Sequence, residues 1–182
     1  MKSKKFSITQ FDLTRRVRII SVAVFLIASL IVTSVAALMP MTLSEAQKTR
    51  EEFERIEELI NVPLIFGNNF MHCLIMFTPF VGPIWGFYVL YNTGRAISAI
   101  ALTETPKINP IFVLAFLFLF PVAWMEYVAY ATAMSQSVWF TWQIFQHQFK
   151  KESFKTCVLI TFCALLLLLA AVIEIAIKLW LS

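Results

Sequence analysis

Glu126, Arg95, Glu174 and His72 are ionisable side chains that fall inside long apolar runs of this 182-residue chain. At bilayer depth such a group costs roughly 2.5–3.5 kcal/mol on insertion scales, so each needs a partner or a route to water. A carboxylate there can pair with a cation, carry a proton or bind a solute, and an imidazole can relay a proton or ligate a metal. Which of these chemistries applies depends on what each helix places opposite the group.

On a helix, Val122, Glu126, Ala129, Tyr130 and Ala133 share one face, and their small members let a neighbour approach closely. Gly94, Ser98 and Ala101 make a similar stripe beside Arg95. An ion pair between Glu126 and Arg95 is the simplest way to satisfy both; a proton or solute pathway is the functional alternative, and snorkelling to opposite interfaces the third. Glu174 has Lys178 four residues later, which predicts a local pair towards the end of the last span. Asn68, Asn69 and His72 share a helix face, and Asn92, Thr93 and Arg95 offer polar groups on the next span, so interhelical hydrogen bonds are expected between them.

A metal centre needs three or four ligands, but the second histidine, His147, lies in a basic loop and there is no third. Met71, His72, Cys73 and Met76 are soft ligands in principle, yet they point to different helix faces. No metal and no cofactor are expected. The chain has no HExxH, G-x-S-x-G, CxxC or Gly-rich phosphate loop, which leaves no catalytic residue to nominate and points away from an enzyme.

The elements that position these groups follow from composition. Hydrophobic residues make up 59% of the chain and charged ones 14%, with four glycines, which excludes a water-soluble globule or a disordered tail. The net charge of +4 lies outside the apolar runs and calls for no nucleic-acid partner. Cys73, Cys157 and Cys163 all sit in apolar segments as small hydrophobes. The expected fold is all-α: one polytopic membrane domain over 1–182 with about five transmembrane helices and one extramembrane amphipathic helix. The spans are expected at about 19–38, 64–80, 84–102, 111–140 and 156–181, separated by breakers such as Pro79, Gly82, Pro83, Pro106 and Pro110. The fourth is over-long and contains Pro121, so it is either one kinked span or two half-helices. The first follows a basic stretch containing Arg15-Arg16, but its length favours an uncleaved anchor over a signal peptide. Gln146 to Lys155 is expected as a loop.

Thr42-Leu43-Ser44-Glu45 is a capping box, so an acidic amphipathic helix is expected over about 43–61, outside the membrane. Its apolar stripe, Phe53, Ile56 and Ile60, either lies on the bundle or docks another membrane or extracytoplasmic protein. With five crossings and the amino terminus in the cytoplasm, nine basic residues lie inside and five outside, with Arg95 within a span and the carboxyl terminus outside. Trp85, Trp139 and Trp142 then share the inner interface, and Trp180 the outer one, of a cell membrane.

Asn68-Asn69, Gly82, Asn92-Thr93-Gly94, and Pro121 followed by Glu126 and Ala129-Tyr130 occur in an order that resembles the stage II sporulation protein M family of polytopic membrane proteins. The resemblance covers roughly residues 67–134. Thr93 splits the family's Asn-Gly pair, and Pro121-Val122-Ala123 stands where the family commonly has Pro-His-Gly. The family's namesake is a membrane anchor that gathers cell-wall-degrading enzymes. The resemblance therefore implies an anchoring role, with no peptidoglycan chemistry carried over.

The first functional reading is a non-enzymatic scaffold or accessory subunit of a membrane complex. The alternative is a small transporter or permease component that uses Glu126. Glu126→Gln separates them: loss of flux at unchanged abundance supports transport, whereas altered assembly or abundance supports the scaffold.

Overall fold

In the computed structural model the described residues, 2–57, 61–104, 108–147 and 149–181, form helices joined by short turns, with no strand among them. Nothing is described of the side chains of residues 1–14, 53–60, 105–107, 148, 149, 151, 181 and 182. In order the helices are α1 (Lys2–Leu38), α2 (Leu43–Glu57), α3 (Val62–Met76), α4 (Gly82–Thr103), α5 (Pro110–Leu117), α6 (Pro121–Phe145) and α7 (Phe149–Leu181).

The prolines that break the sequence pattern turn out to begin helices. Pro63, Pro83, Pro110 and Pro121 each occupy the first turn of a helix, where a missing N–H costs nothing. Asn61 and Asn109 cap two of these starts, accepting from the amides of Leu64 (2.9 Å) and Ile111 (3.0 Å). The capping box at α2 is formed: the Thr42 amide donates to Glu45 Oε2 (2.9 Å) and the Glu45 amide donates to Thr42 Oγ1 (3.3 Å). The Thr42 bonds hold the Glu45 carboxyl below the usual carboxylate range.

Two helices are long and apolar enough to cross a membrane, Arg15–Leu38 within α1 and Glu152–Trp180 within α7, and a third exists if α5 and α6 together count as one broken span. The other expected spans fall short for physical reasons. With 15 residues, α3 is roughly 22 Å long against a hydrocarbon thickness of about 30 Å. Asn92, Thr93 and Arg95 lower the apolarity of α4. The over-long fourth segment is two helices bent by 84°.

The expected loop at Gln146 to Lys155 is also shorter than its basic residues imply, because α7 begins at Phe149. Glu152 stands in its first turn, where a carboxylate favours the positive end of a helix. It is 2% exposed and pairs with Arg18 at 2.7 Å and Lys155 at 3.2 Å. Gln136 joins this cluster, accepting from Arg18 (3.1 Å) and donating to Glu152 (2.9 Å) and Thr156 (2.9 Å). The Arg18 guanidinium also lies 4.8 Å from the Trp139 ring centroid, and Trp139 donates to Ser21 (3.0 Å). Breaking such a pair from one side costs about 3–5 kcal/mol, so the cluster fastens α1 to the α6–α7 hairpin.

α6 is the centre of the packing. It touches α1, α3, α4 and α7, and every residue from Ala129 to Ser137 is buried. Contacts also set directions. Arg18 meets Gln136 while Thr33 meets Tyr127, so α1 and α6 are antiparallel. Thr33 meets Leu90 while Met39 meets Arg95, so α1 and α4 are parallel. Gln136 meets Glu152 while Ala129 meets Cys163, so α7 runs against α6.

Gly94 marks a close approach of α4 to α1. A methyl group there would overlap the Thr33 carbonyl and lie 2.7 Å from the Ala36 methyl and 3.0 Å from the Ala37 amide nitrogen. Gly67 faces open space. Gly94→Ala should therefore destabilise the folded protein by about 1–3 kcal/mol, whereas Gly67→Ala should be neutral or stabilising by up to about 1 kcal/mol. Thermal unfolding of the two variants in the same detergent reads this difference.

Candidate functional site

Of the polar residues singled out in the apolar runs, all but Glu174 line one cavity of about 450 Å³. The i, i+1, i+4 spacing on α3 brings Asn68, Asn69 and His72 to it; α4 contributes Asn92, Thr93 and Arg95, and α6 contributes Glu126 and Tyr130. Sequence reasoning missed three further polar members. Tyr127 comes from α6, and Thr49 and Glu52 reach the cavity from α2, which packs on α4. The signal for Tyr127 was its hydroxyl, which in an apolar segment needs a partner: it donates to Thr33 Oγ1 at 2.7 Å.

The expected ion pair is replaced by two other arrangements. Among the described residues no salt bridge joins Arg95 to Glu126. Asn69 Nδ2 donates to Glu126 Oε1 instead, and Asn68 in turn donates to Asn69 Oδ1 at 3.4 Å. Arg95 donates to the carbonyls of Met39 (2.9 Å) and Pro40 (3.2 Å). The reason lies in helix ends. The carbonyls of Met39 and Pro40 follow directly on the negative end of α1, and the parallel packing of α1 and α4 sets Arg95 level with them. The guanidinium thus caps α1 at one edge of the cavity, and Glu126 is left without a counter-cation of its own.

The remaining polar groups are oriented by local bonds. Trp85 Nε1 donates to His72 Nδ1 at 3.3 Å, so a neutral His72 carries its proton on Nε2. Asn92 Nδ2 donates to the Tyr88 carbonyl (2.8 Å) and Thr93 Oγ1 to the Val89 carbonyl (3.1 Å), within α4. Asn68 and Asn92 are exposed to the cavity, Asn69, His72, Arg95 and Glu126 half-buried, and Tyr130 buried.

Glu126 also faces a second space. A groove of about 300 Å³ lies in the elbow between α5 and α6, and it is lined by Glu126 and by Glu174 of α7. The elbow is built around Phe118, whose carbonyl accepts from Trp124 Nε1 (2.9 Å) and whose ring packs on Trp124 and Tyr127. Glu174 lies within electrostatic range of Lys178, in keeping with a local pair.

Of the soft side chains, only His72 lines the cavity; Cys73 and Met76 are buried in the packing and Met71 is exposed on another face. Among the described residues no group of three or more His, Cys, Asp or Glu is placed to hold a metal ion. Phe53 and Ile56 belong to the backbone of α2, but their side chains, and all of Ile60, lie outside the description.

The fold and the cavity define a class: a helical protein with two or three helices long and apolar enough to cross a membrane and a polar chamber between its helices. Comparison with family models, curated proteins and solved structures finds no match to this chain.

If the chamber is hydrated, cysteines at its exposed positions must react with water-borne reagents. In a Cys157→Ser background, Asn68→Cys and Asn92→Cys should be labelled by a membrane-impermeant maleimide, while the buried Cys73 and Cys163 stay unlabelled until the protein is unfolded. Mass spectrometry of the labelled protein checks this outcome.

Proposed function

We propose that this chain is a five-span cell-membrane protein, amino terminus in the cytoplasm, whose chamber binds a small positively charged or polar group at Glu126, as a component of a small transporter or permease. The observation that carries the reading is the convergence of Asn68, Asn69, His72, Asn92, Arg95, Glu126 and Tyr130 on one cavity, from helices separate in sequence. A helix bundle that only needed to pack would have closed that space with apolar side chains, because unfilled polar volume costs stability. Instead Glu126 keeps Asn69 as its hydrogen-bond donor among the described residues, which leaves carboxylate capacity for a ligand.

The alternating directions of α1, α6 and α7 support five crossings, with α3 and α4 held at depth by their neighbours rather than by apolarity alone. α3 and α4 are the helices that carry the Asn, His and Arg side chains of the chamber, and such helices are tolerated where they line a cavity.

An anchoring role, as the sporulation-protein resemblance implies, would use α2 as a docking face. Ala46 is buried and Thr49 faces the chamber, so one side of α2 is already turned inward. The geometry therefore favours the ligand site. Small ammonium compounds provide the test. Ethanolamine at millimolar concentration should slow maleimide labelling of Asn92→Cys by about tenfold at saturation, and Glu126→Gln should abolish that protection. Equal labelling rates with and without ethanolamine would remove the ligand reading.

A further inference from the structure

The groove beside Glu126 differs in character from the chamber. Its walls are Phe116 and Leu117 of α5, Phe120 and Val122 at the elbow, and Ile177 of α7, and the polar side chains lining it are the carboxylates of Glu126 and Glu174. The 84° bend between α5 and α6 opens it, and α5 presents Phe112 and Phe116 as exposed apolar side chains beside it. An apolar slot between helices at membrane depth faces hydrocarbon, so its natural contents are hydrocarbon. Its two acidic side chains line the same space, and their oxygens favour a donor-bearing cation over an anion, because a cation between them relieves their mutual repulsion.

We propose that the junction of groove and chamber is the binding site of a bilayer lipid with an ammonium headgroup, its amine held between Glu126 and Glu174 and one hydrocarbon chain lying in the elbow groove. The proposal rests on the reading of the chamber as a ligand site and names the class of ligand it takes. An ammonium has three donors, which suits two carboxylates of which one already accepts from Asn69. The rest of a lipid headgroup, its phosphate and ester oxygens, meets donors in the chamber: the Asn68 and Asn92 amides and Arg95. A free hydrated amine would find the chamber but gain nothing from Phe116, Phe120 and Ile177. A lipid gains from both.

The test uses the purified full chain in mild detergent, with bound lipid read by native mass spectrometry and affinity by the shift in thermal unfolding. Three probes are compared: a short-chain phosphatidylethanolamine, the phosphatidylglycerol with the same chains, and ethanolamine alone. Phosphatidylethanolamine should bind about tenfold more tightly than phosphatidylglycerol, and Glu126→Gln should bring the two to parity. Ile177→Trp, which fills the groove without touching the carboxylates, should weaken the lipid and leave ethanolamine unchanged. It also guards against a Glu126→Gln protein that fails to fold. Equal affinity for the two lipids in the native protein overturns the proposal. Binding of ethanolamine with no preference between the lipids overturns the lipid inference and leaves the chamber reading standing; binding of none of the three removes both.

Discussion

Burial around the whole circumference of α6 from Ala129 to Ser137 is the constraint on which the other features depend. A helix surrounded on all sides must be lined by small residues, and Ala129, Ala131, Ala133, Ser135 and Ser137 meet that demand. Because α1, α3, α4 and α7 all pack against it, the polar side chains of this buried stretch face other helices. α6 carries such groups at two levels. Glu126, Tyr127 and Tyr130 open the chamber, and Ser135 and Gln136 join the Arg18–Glu152 cluster roughly 15 Å further along at 1.5 Å per residue. The two levels differ in kind. In the Arg18 cluster the charges are matched by opposite charges; in the chamber they are not.

That difference comes from where Arg95 is spent. Placed against the carboxyl end of α1, it answers the carbonyls of Met39 and Pro40, which follow directly on the helix's negative end. Glu126 is answered by an amide instead of a cation. An amide donor orients the carboxyl group and occupies one of its oxygens, so further acceptor capacity remains for whatever enters the chamber or the elbow groove. The same parallel contact of α1 and α4 that makes Gly94 intolerant of a side chain is what sets Arg95 beside those carbonyls.

Much of this architecture was legible from residue types. Glu126, His72 and the asparagines announced themselves as polar groups in apolar runs, and the structure gathers them in one place. The cap at Thr42 was written in local chemistry, whereas Pro83 and Pro110 read as breakers and stand in the first turns of α4 and α5. What was not legible depended on the relative position of helices. The partner of Arg95 is a backbone carbonyl, which no side-chain inventory records, and the partner of Glu152 is separated from it by most of the chain. Glu152 looked like a loop residue because Lys150, Lys151 and Lys155 surround it; burial against Arg18 and Gln136 made it helical. The elbow at Pro121 left one span or two open, because proline fixes that a helix starts there but not the angle at which the preceding one arrives.

The Arg18 cluster also bears on how the chain is made. Synthesis delivers α1 first, yet 118 residues separate Arg18 from Gln136, and Glu152 emerges later still. Until α6 and α7 are made, Arg18 has none of these partners, and its charge is best kept at the water-facing edge of the bilayer. Docking of α1 at this end of the bundle therefore waits for α6 and α7. A product lacking α7 would keep the contacts of α1 with Ser135, Gln136 and Trp139 of α6 but leave Arg18 without its carboxylate partner at that end.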